Sequence, residues 1–276
     1  MFREFLTPST IEEAVKLRNS IDSSMYLAGG TEINSIVWPC RSKISANTAI
    51  YLDKLPLKNV KVEKTKIEIG ASVTIQELVE NKSLPPMLLA AVRLFANRNV
   101  RTMGTIGGNI GGNRACSNIA PALLALNTSI MLAGKNSKEK ITLEQYFSNH
   151  DPEKLILSIE IPSGWQKRRW AVRKHTRTAN DVSLVSAAVS FSGTEAKIEE
   201  PIIAVNGVVP HATRLYELEK KLDGQSLPSR EAIDEEVKKL VNPESDLRGS
   251  SEFKKHLSAV LVSDALHEAA HRVVCR

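Results

Sequence analysis

At 276 residues the chain has room for about two domains with a core each, and 42% hydrophobic with 25% charged residues are the proportions of an ordinary soluble globular protein. The longest apolar runs, 119–126 and 202–205, fall short of the roughly 20 residues that span a bilayer, and the opening MFREFLTPST shows no secretory pattern, so a cytoplasmic protein is expected. The excess of 37 basic over 31 acidic residues, net +6, is too modest to argue for nucleic acid.

The opening predicts a short extended segment and then a helix. Thr10 and Glu13 have capping-box spacing, and Ile11, Ala14, Val15 and Leu17 share one apolar face. Residues 25–28 predict a strand running into the Gly29-Gly30 pair. Strands follow over 49–52, 60–63 and 66–69, then helices over 74–80 and 86–95. Gly104, Gly107, Gly108, Gly111 and Gly112 fall within nine residues and read as a loop, 104–113. Residues 119–126 predict an apolar helix with Pro121 near its start, where proline is tolerated. Strands are expected over 130–133 and 155–161, and Pro162-Ser163-Gly164 marks a domain boundary. Beyond it come strands over 171–175, 183–191 and 202–208, and helices over 213–222, 230–241 and 250–274. Strands first and helices after argue for a small α+β domain.

Two common phosphate-binding patterns are absent, since neither G-x-x-x-x-G-K-[ST] nor G-x-G-x-x-G occurs. Glycines nevertheless cluster at 27–33 and 104–113. Without a Cβ, successive amides can turn inward and form an anion-binding concavity. A pyrophosphate can be held by such amides, with the hydroxyls of Thr31 and Thr105 added and no lysine. One Gly-Gly pair alone is more readily a plain tight turn; two such segments together point to a ligand. A basic stretch, Lys167, Arg168, Arg169, Arg173, Lys174 and Arg177, is interleaved with Trp165 and Trp170. A solvated loop, a surface for an acidic partner and a cofactor contact all explain it. Cys40, Cys116 and Cys275 are far apart and form no C-x-x-C, so neither a zinc site nor an iron–sulfur cluster is expected, only reduced thiols. His267 and His271 stand four apart without a third ligand nearby, and no G-x-S-x-G supports a Ser-His-Asp site. No catalytic side chain is assigned.

Tyr26-Leu27-Ala28-Gly29-Gly30-Thr31-Glu32-Ile33 and Thr105-Ile106-Gly107-Gly108-Asn109 resemble the paired FAD loops of the medium subunit of molybdenum hydroxylases, the group of xanthine dehydrogenase and aerobic carbon monoxide dehydrogenase. Further motifs follow in order: Phe5 to Ala14 with Pro8, Thr10 and Glu13; Asn99-Val100-Arg101; Arg177-Thr178-Ala179-Asn180-Asp181-Val182-Ser183; and Asp246-Leu247-Arg248-Gly249-Ser250 before the last helix. The resemblance implies an α+β fold: a two-part FAD-binding domain of the vanillyl-alcohol-oxidase-like (PCMH-type) kind over 1–164, split near 53–56, and a C-terminal domain over 165–276 with a three-stranded antiparallel sheet and helices. It implies FAD between the two domains, its pyrophosphate wrapped by both loops. Phe95 matches a position near the cofactor, Ile156 one beside the isoalloxazine, and Arg173 one where relatives carry a lysine close to the flavin. Asn118 replaces the family's cofactor-bonding aspartate, and Arg114 adds a cation where none is usual. The implied function is electron transfer within a complex of a molybdopterin-binding large subunit and a 2Fe-2S small subunit, with NAD+ or another acceptor downstream. A stand-alone FAD-dependent oxidase or reductase, and a degenerate assembly protein without flavin, are the alternatives.

Overall fold

The computed structural model describes residues 2–33, 46–135 and 137–272. Cys40, Cys275 and the end of the helix expected over 250–274 lie outside the described residues. In chain order the elements begin β1 (Glu4–Leu6), α1 (Ile11–Ser20), β2 (Ser24–Leu27), β3 (Thr48–Tyr51), β4 (Val60–Val62), β5 (Lys66–Gly70), α2 (Ile75–Glu80), α3 (Pro86–Arg93), α4 (Arg98–Arg101), α5 (Ile106–Gly111) and α6 (Ala120–Ala125). They continue with β6 (Ser129–Ala133), β7 (Lys138–Thr142), α7 (Leu143–Ser148), β8 (Leu155–Pro162), β9 (Arg169–His175), β10 (Val185–Thr194), β11 (Lys197–Asn206), β12 (Thr213–Arg214), α8 (Tyr216–Leu222), α9 (Arg230–Leu240) and α10 (Ser251–His271). Contacts divide the chain into two compact units.

The first unit comprises Met1–Lys82, Asn97–Gly112 and Ser129–Ile161. Its N-terminal part is a parallel sheet in the order β1-β3-β2. Thr10 caps α1 by accepting from Glu13 N at 3.1 Å, and the Glu13 carboxylate reaches back to Ser9 N at 2.7 Å. Ala14 and Val15 on α1 are buried with Ile50, Leu52, Leu55, Leu57 and Leu157 in one apolar cluster. A five-stranded sheet, β4-β5-β8-β6-β7, makes up the remainder together with α2, α4, α5 and α7. On β8 the carboxylate of Glu160 is 4% exposed yet held from both sides, by Lys140 at 2.6 Å and Lys66 at 3.2 Å.

The second unit comprises Ser83–Ala96, Asn113–Thr128 and Pro162–Arg276. Its antiparallel sheet runs β12-β11-β10-β9, so the three expected strands are joined by a two-residue fourth, where a helix had been expected to start. Strand β10 is buried on both faces, and its period of two separates them. Ala187, Val189 and Phe191 belong to the apolar core shared with α8, α9 and α10. The alternate residues meet the α6 region: Ser186 Oγ donates to Ser117 O at 3.4 Å and Ser190 Oγ to Ala125 O at 2.6 Å.

Half of the basic stretch, Arg168, Arg169 and Lys174, is turned inward, while Lys167, Arg173 and Arg177 stay exposed. Arg168 bonds Ser190 and Glu200, Arg169 bonds carbonyls of Gly193 and Ala270, Lys174 donates to Leu94 O and Asp181 O, and Arg177 pairs with Asp181. Left-handed backbone lies at or within two residues of three of the five places where the chain passes from one unit's residues to the other's: Ala96 (φ 41°), Asn113 (φ 44°) and Asn127 (φ 53°).

Candidate cofactor site

Both glycine segments belong to the first unit, and the structure lays one along the other. Strand β2 ends where Leu52 N donates to Leu27 O at 2.9 Å. Gly29 then passes so close to the second segment that a Cβ there would overlap Met103 O and lie 2.5 Å from the Met103 carbonyl carbon. Next along, Thr31 Oγ1 sits 3.2 Å from where Gly104 would carry a Cβ. The Glu32 carboxylate fills the space beside Gly112, its Cδ 3.0 Å from a Cβ built there. Three successive contacts thus interlock residues 29–32 with residues 103–112.

The second segment is a correction to the expected loop. Residues 106–111 form the helix α5, N-capped by Thr105, whose Oγ1 accepts from Gly108 N at 3.0 Å. Glycines make this a poor helix by propensity, at about 1 kcal/mol each against alanine, so neighbouring backbone has to hold it. Ile106 N donates to Val73 O at 3.0 Å, and Gly107 N to Ala71 O at 2.9 Å. That second bond needs a glycine: a Cβ on Gly107 would lie 2.6 Å from Ala71 Cβ. Asn109 N closes the first helical bond, to Thr105 O at 3.0 Å. The amides of residues 106–109 therefore have protein acceptors.

The open amides lie in the first segment. Among the described residues, no acceptor meets the N–H of Gly29, Gly30 or Thr31. Gly30 has left-handed backbone (φ 67°), the geometry that turns consecutive amides to one side. The segment is only half-buried. Three amides without an acceptor among the described residues, with a hydroxyl at hand, suit the acceptor-rich, anionic pyrophosphate of a dinucleotide, so the residues present fit FAD.

The remaining candidates divide between the units. Tyr26 directs its hydroxyl to Glu153 O at 3.3 Å, and burial pushes that hydroxyl's pKa well up. Ile156, on β8, is buried, with its Cδ1 3.7 Å from where a Cβ on Gly111 would stand. Phe95, Asn118 and Arg173 belong to the second unit. Phe95 is half-buried just past α3. Asn118 is 3% exposed and donates its amide to Ala91 O at 2.7 Å. Arg173 is paired with Glu268 of α10 at 2.8 Å. Nearby, Cys116 is of intermediate exposure and not disulfide-bonded. Sequence reasoning missed Ala71, Val73 and Met103, which act through backbone carbonyls that carry no residue-type signal.

Two family descriptions match the chain: "FAD binding domain in molybdopterin dehydrogenase" over residues 1–164 and "CO dehydrogenase flavoprotein C-terminal domain" over residues 170–269. Uncharacterized protein YgfM of Escherichia coli (strain K12) is 30% identical over 266 residues, covering 96% of this chain and 95% of its own. The glyceraldehyde dehydrogenase medium chain of Sulfolobus acidocaldarius is 28% identical over 280 residues, covering 96% and 98%. In fold, the chain is similar to a solved structure of carbon monoxide dehydrogenase from Hydrogenophaga pseudoflava, with a TM-score of 0.89 at 23% identity over 98% of this chain and 97% of that one. A glycine cradle suited to a dinucleotide, and family matches that follow one another along the sequence, lead to one conclusion: the chain belongs to the molybdenum hydroxylase flavoproteins, as an FAD-binding medium subunit of an oxidoreductase.

Proposed function

We propose that the chain is the electron-transfer subunit of a xanthine dehydrogenase-like molybdenum hydroxylase. In this reading it takes electrons from a 2Fe-2S small subunit, in a complex with a molybdopterin-binding large subunit, and passes them to NAD+ or another acceptor in the cytoplasm. The observation that carries the reading is the cradle at residues 29–31, where open amides and Gly30's backbone are held in place by the Met103–Gly112 segment. Names of relatives support the assembly: nicotine 6-hydroxylase medium subunit and carbon monoxide dehydrogenase medium chain match over nearly the whole chain.

When bound, FAD supplies the one- and two-electron redox chemistry that side chains lack. The protein's part is to bind and orient. Gly29, Gly30 and Thr31 donate to the pyrophosphate, and Tyr26, Leu27, Ala28, Glu32 and Ile33 shape that turn. Thr105, Ile106, Gly107, Gly108 and Asn109 form its supporting wall, and Ile156 offers an apolar surface. The family pattern adds Phe95, Asn118 and Arg173. Since Arg173 already pairs with Glu268, its electrostatic influence on a reduced flavin is smaller than that of a free cation. The same reading keeps the domain division at 1–164 and 165–276.

Isolation of the native complex tests it. Large and small subunits should co-purify with the flavin-bearing chain, and substrate should bleach the flavin only when both are present. Substrate oxidation by the chain alone would overturn the reading in favour of a stand-alone oxidase or reductase.

A further inference from the structure

His150 stands thirty-nine residues from the glycine helix in sequence, yet its Nε2 lies 3.0 Å from Gly111 O. Gly111 is the last residue of α5, so this carbonyl is one of the helix's C-terminal acceptors without an intrahelical partner. A carbonyl only accepts; Nε2 therefore carries the proton and donates. The imidazole is itself fixed, edge-on to the Tyr146 ring with centroids 5.3 Å apart. Tyr146 is 2% exposed, on a helix held by the Thr142–Gln145 capping box. Its hydroxyl lies 4.0 Å from where Gly111 would carry a Cβ. All of these residues belong to the first unit.

Helix α5 has six residues, too few and too glycine-rich to persist unaided. Its N-terminal end is tied to Ala71, Val73 and Thr105. At its C-terminal end, His150 is a side-chain tie. Gly112 follows at once, and there the Glu32 carboxylate rests. A slip of the helix end therefore shifts the first glycine segment as well.

We infer that His150 is a positioning residue for the FAD cradle, which it holds through the Gly111 carbonyl rather than by touching the cofactor. This inference rests on the cradle at residues 29–31 as the FAD site. The full-length chain, freed of flavin and titrated with FAD, tests it through flavin fluorescence and the visible circular dichroism of the bound flavin. His150→Leu should raise the FAD Kd about tenfold, the value of one hydrogen bond, and change the dichroism. His150→Gln, whose amide reaches the same carbonyl, should restore both to within about twofold. His150→Asn, too short to reach, should behave like the leucine variant and serves if that variant does not fold. Wild-type affinity and dichroism in His150→Asn or His150→Leu overturn the inference. A separate Gly30→Val variant probes the cradle itself. If it binds FAD normally, the site assignment fails; if it loses FAD while the His150 variants do not, only the role of His150 fails.

Discussion

Substituting Gly29 by alanine probes the interlock directly. A Cβ at Gly29 would lie 2.5 Å from the Met103 carbonyl carbon, besides overlapping its oxygen. Two carbons in contact need roughly 3.5 Å, and the overlap with the oxygen is tighter still, so the segments must part by at least about 1 Å. The obstacle is backbone, already fixed by Gly104 N donating to Val100 O at 2.7 Å and Ile75 N to Gly104 O at 2.8 Å. A rotamer change cannot relieve it, which puts the cost at the upper end for overpacking, about 3 kcal/mol. Gly111→Ala is the matched control. A Cβ there meets only Ile156 Cδ1 at 3.7 Å and Tyr146 Oη at 4.0 Å, both ordinary contacts. It should stabilise the FAD-free protein by about 0.5 to 1 kcal/mol through helix propensity. Guanidinium unfolding of the FAD-free variants gives both numbers, and FAD titration gives the functional consequence. Gly29→Ala should bind FAD at least tenfold more weakly. If the two alanines differ by less than about 0.5 kcal/mol, the close approach of the glycine segments is not what Gly29 serves.

Three further outcomes follow from other parts of the structure. Burial pushes the Glu160 carboxyl up, but the hydrogen bonds and charges of Lys140 and Lys66 outweigh it and hold the carboxyl below its usual range. A carboxyl depressed in the folded state contributes stability that is complete above its unfolded value, 4.5, and lost as pH falls through the folded one. The Tm should thus drop more gently below about pH 4.5 in Glu160→Gln than in the wild type, as melting at stepped pH would show. Glu219, 6% exposed, accepts from Arg214 at 2.7 and 3.1 Å and from Ile203 N at 2.8 Å. Glu219→Ala removes a buried acceptor from both donors and should cost about 3 kcal/mol in denaturant unfolding. Ala96→Gly relieves a left-handed alanine (φ 41°), so stability should be unchanged or higher by up to about 1 kcal/mol; a loss of that size would contradict it.

Local signals carried the secondary structure where they were strong. Thr10 and Glu13 marked the start of α1, and Ser24–Leu27 was legible as an apolar run halted by glycines. Strand β7 escaped notice because its edge position suits a charged sequence, Lys138-Glu139-Lys140, that reads as solvated loop. Propensity is against helix in the glycine run, and the sequence suggests a loop there; bonds that Ile106 and Gly107 donate to Val73 O and Ala71 O, and one from His150 to Gly111 O, overrule it. At the candidate site, the glycine pattern located both segments but not their division of labour. Among the described residues the amides without an acceptor are those of Gly29, Gly30 and Thr31, while Gly107 is needed for contact with Ala71. Partners of that kind depend on tertiary neighbours, which spacing along the chain does not encode. The inward pairing of Arg168, Arg169 and Lys174 was equally hidden, since a run of basic residues looks the same whether solvated or bonded.

Because synthesis proceeds from one end, the interleaving of the two units sets an order of events on the ribosome. Everything in the first unit has been made once Ile161 emerges. By then α3 and the wholly apolar α6 also exist, yet they pack in the second unit, where β10 and β11 are still to come. For some tens of residues of elongation the nascent chain must carry two exposed apolar excursions, at 83–96 and 113–128, out of a nearly finished unit. Such surfaces invite aggregation or chaperone capture. The yield of this subunit should therefore respond to translation speed between residues 162 and 206 more than to changes elsewhere in the message.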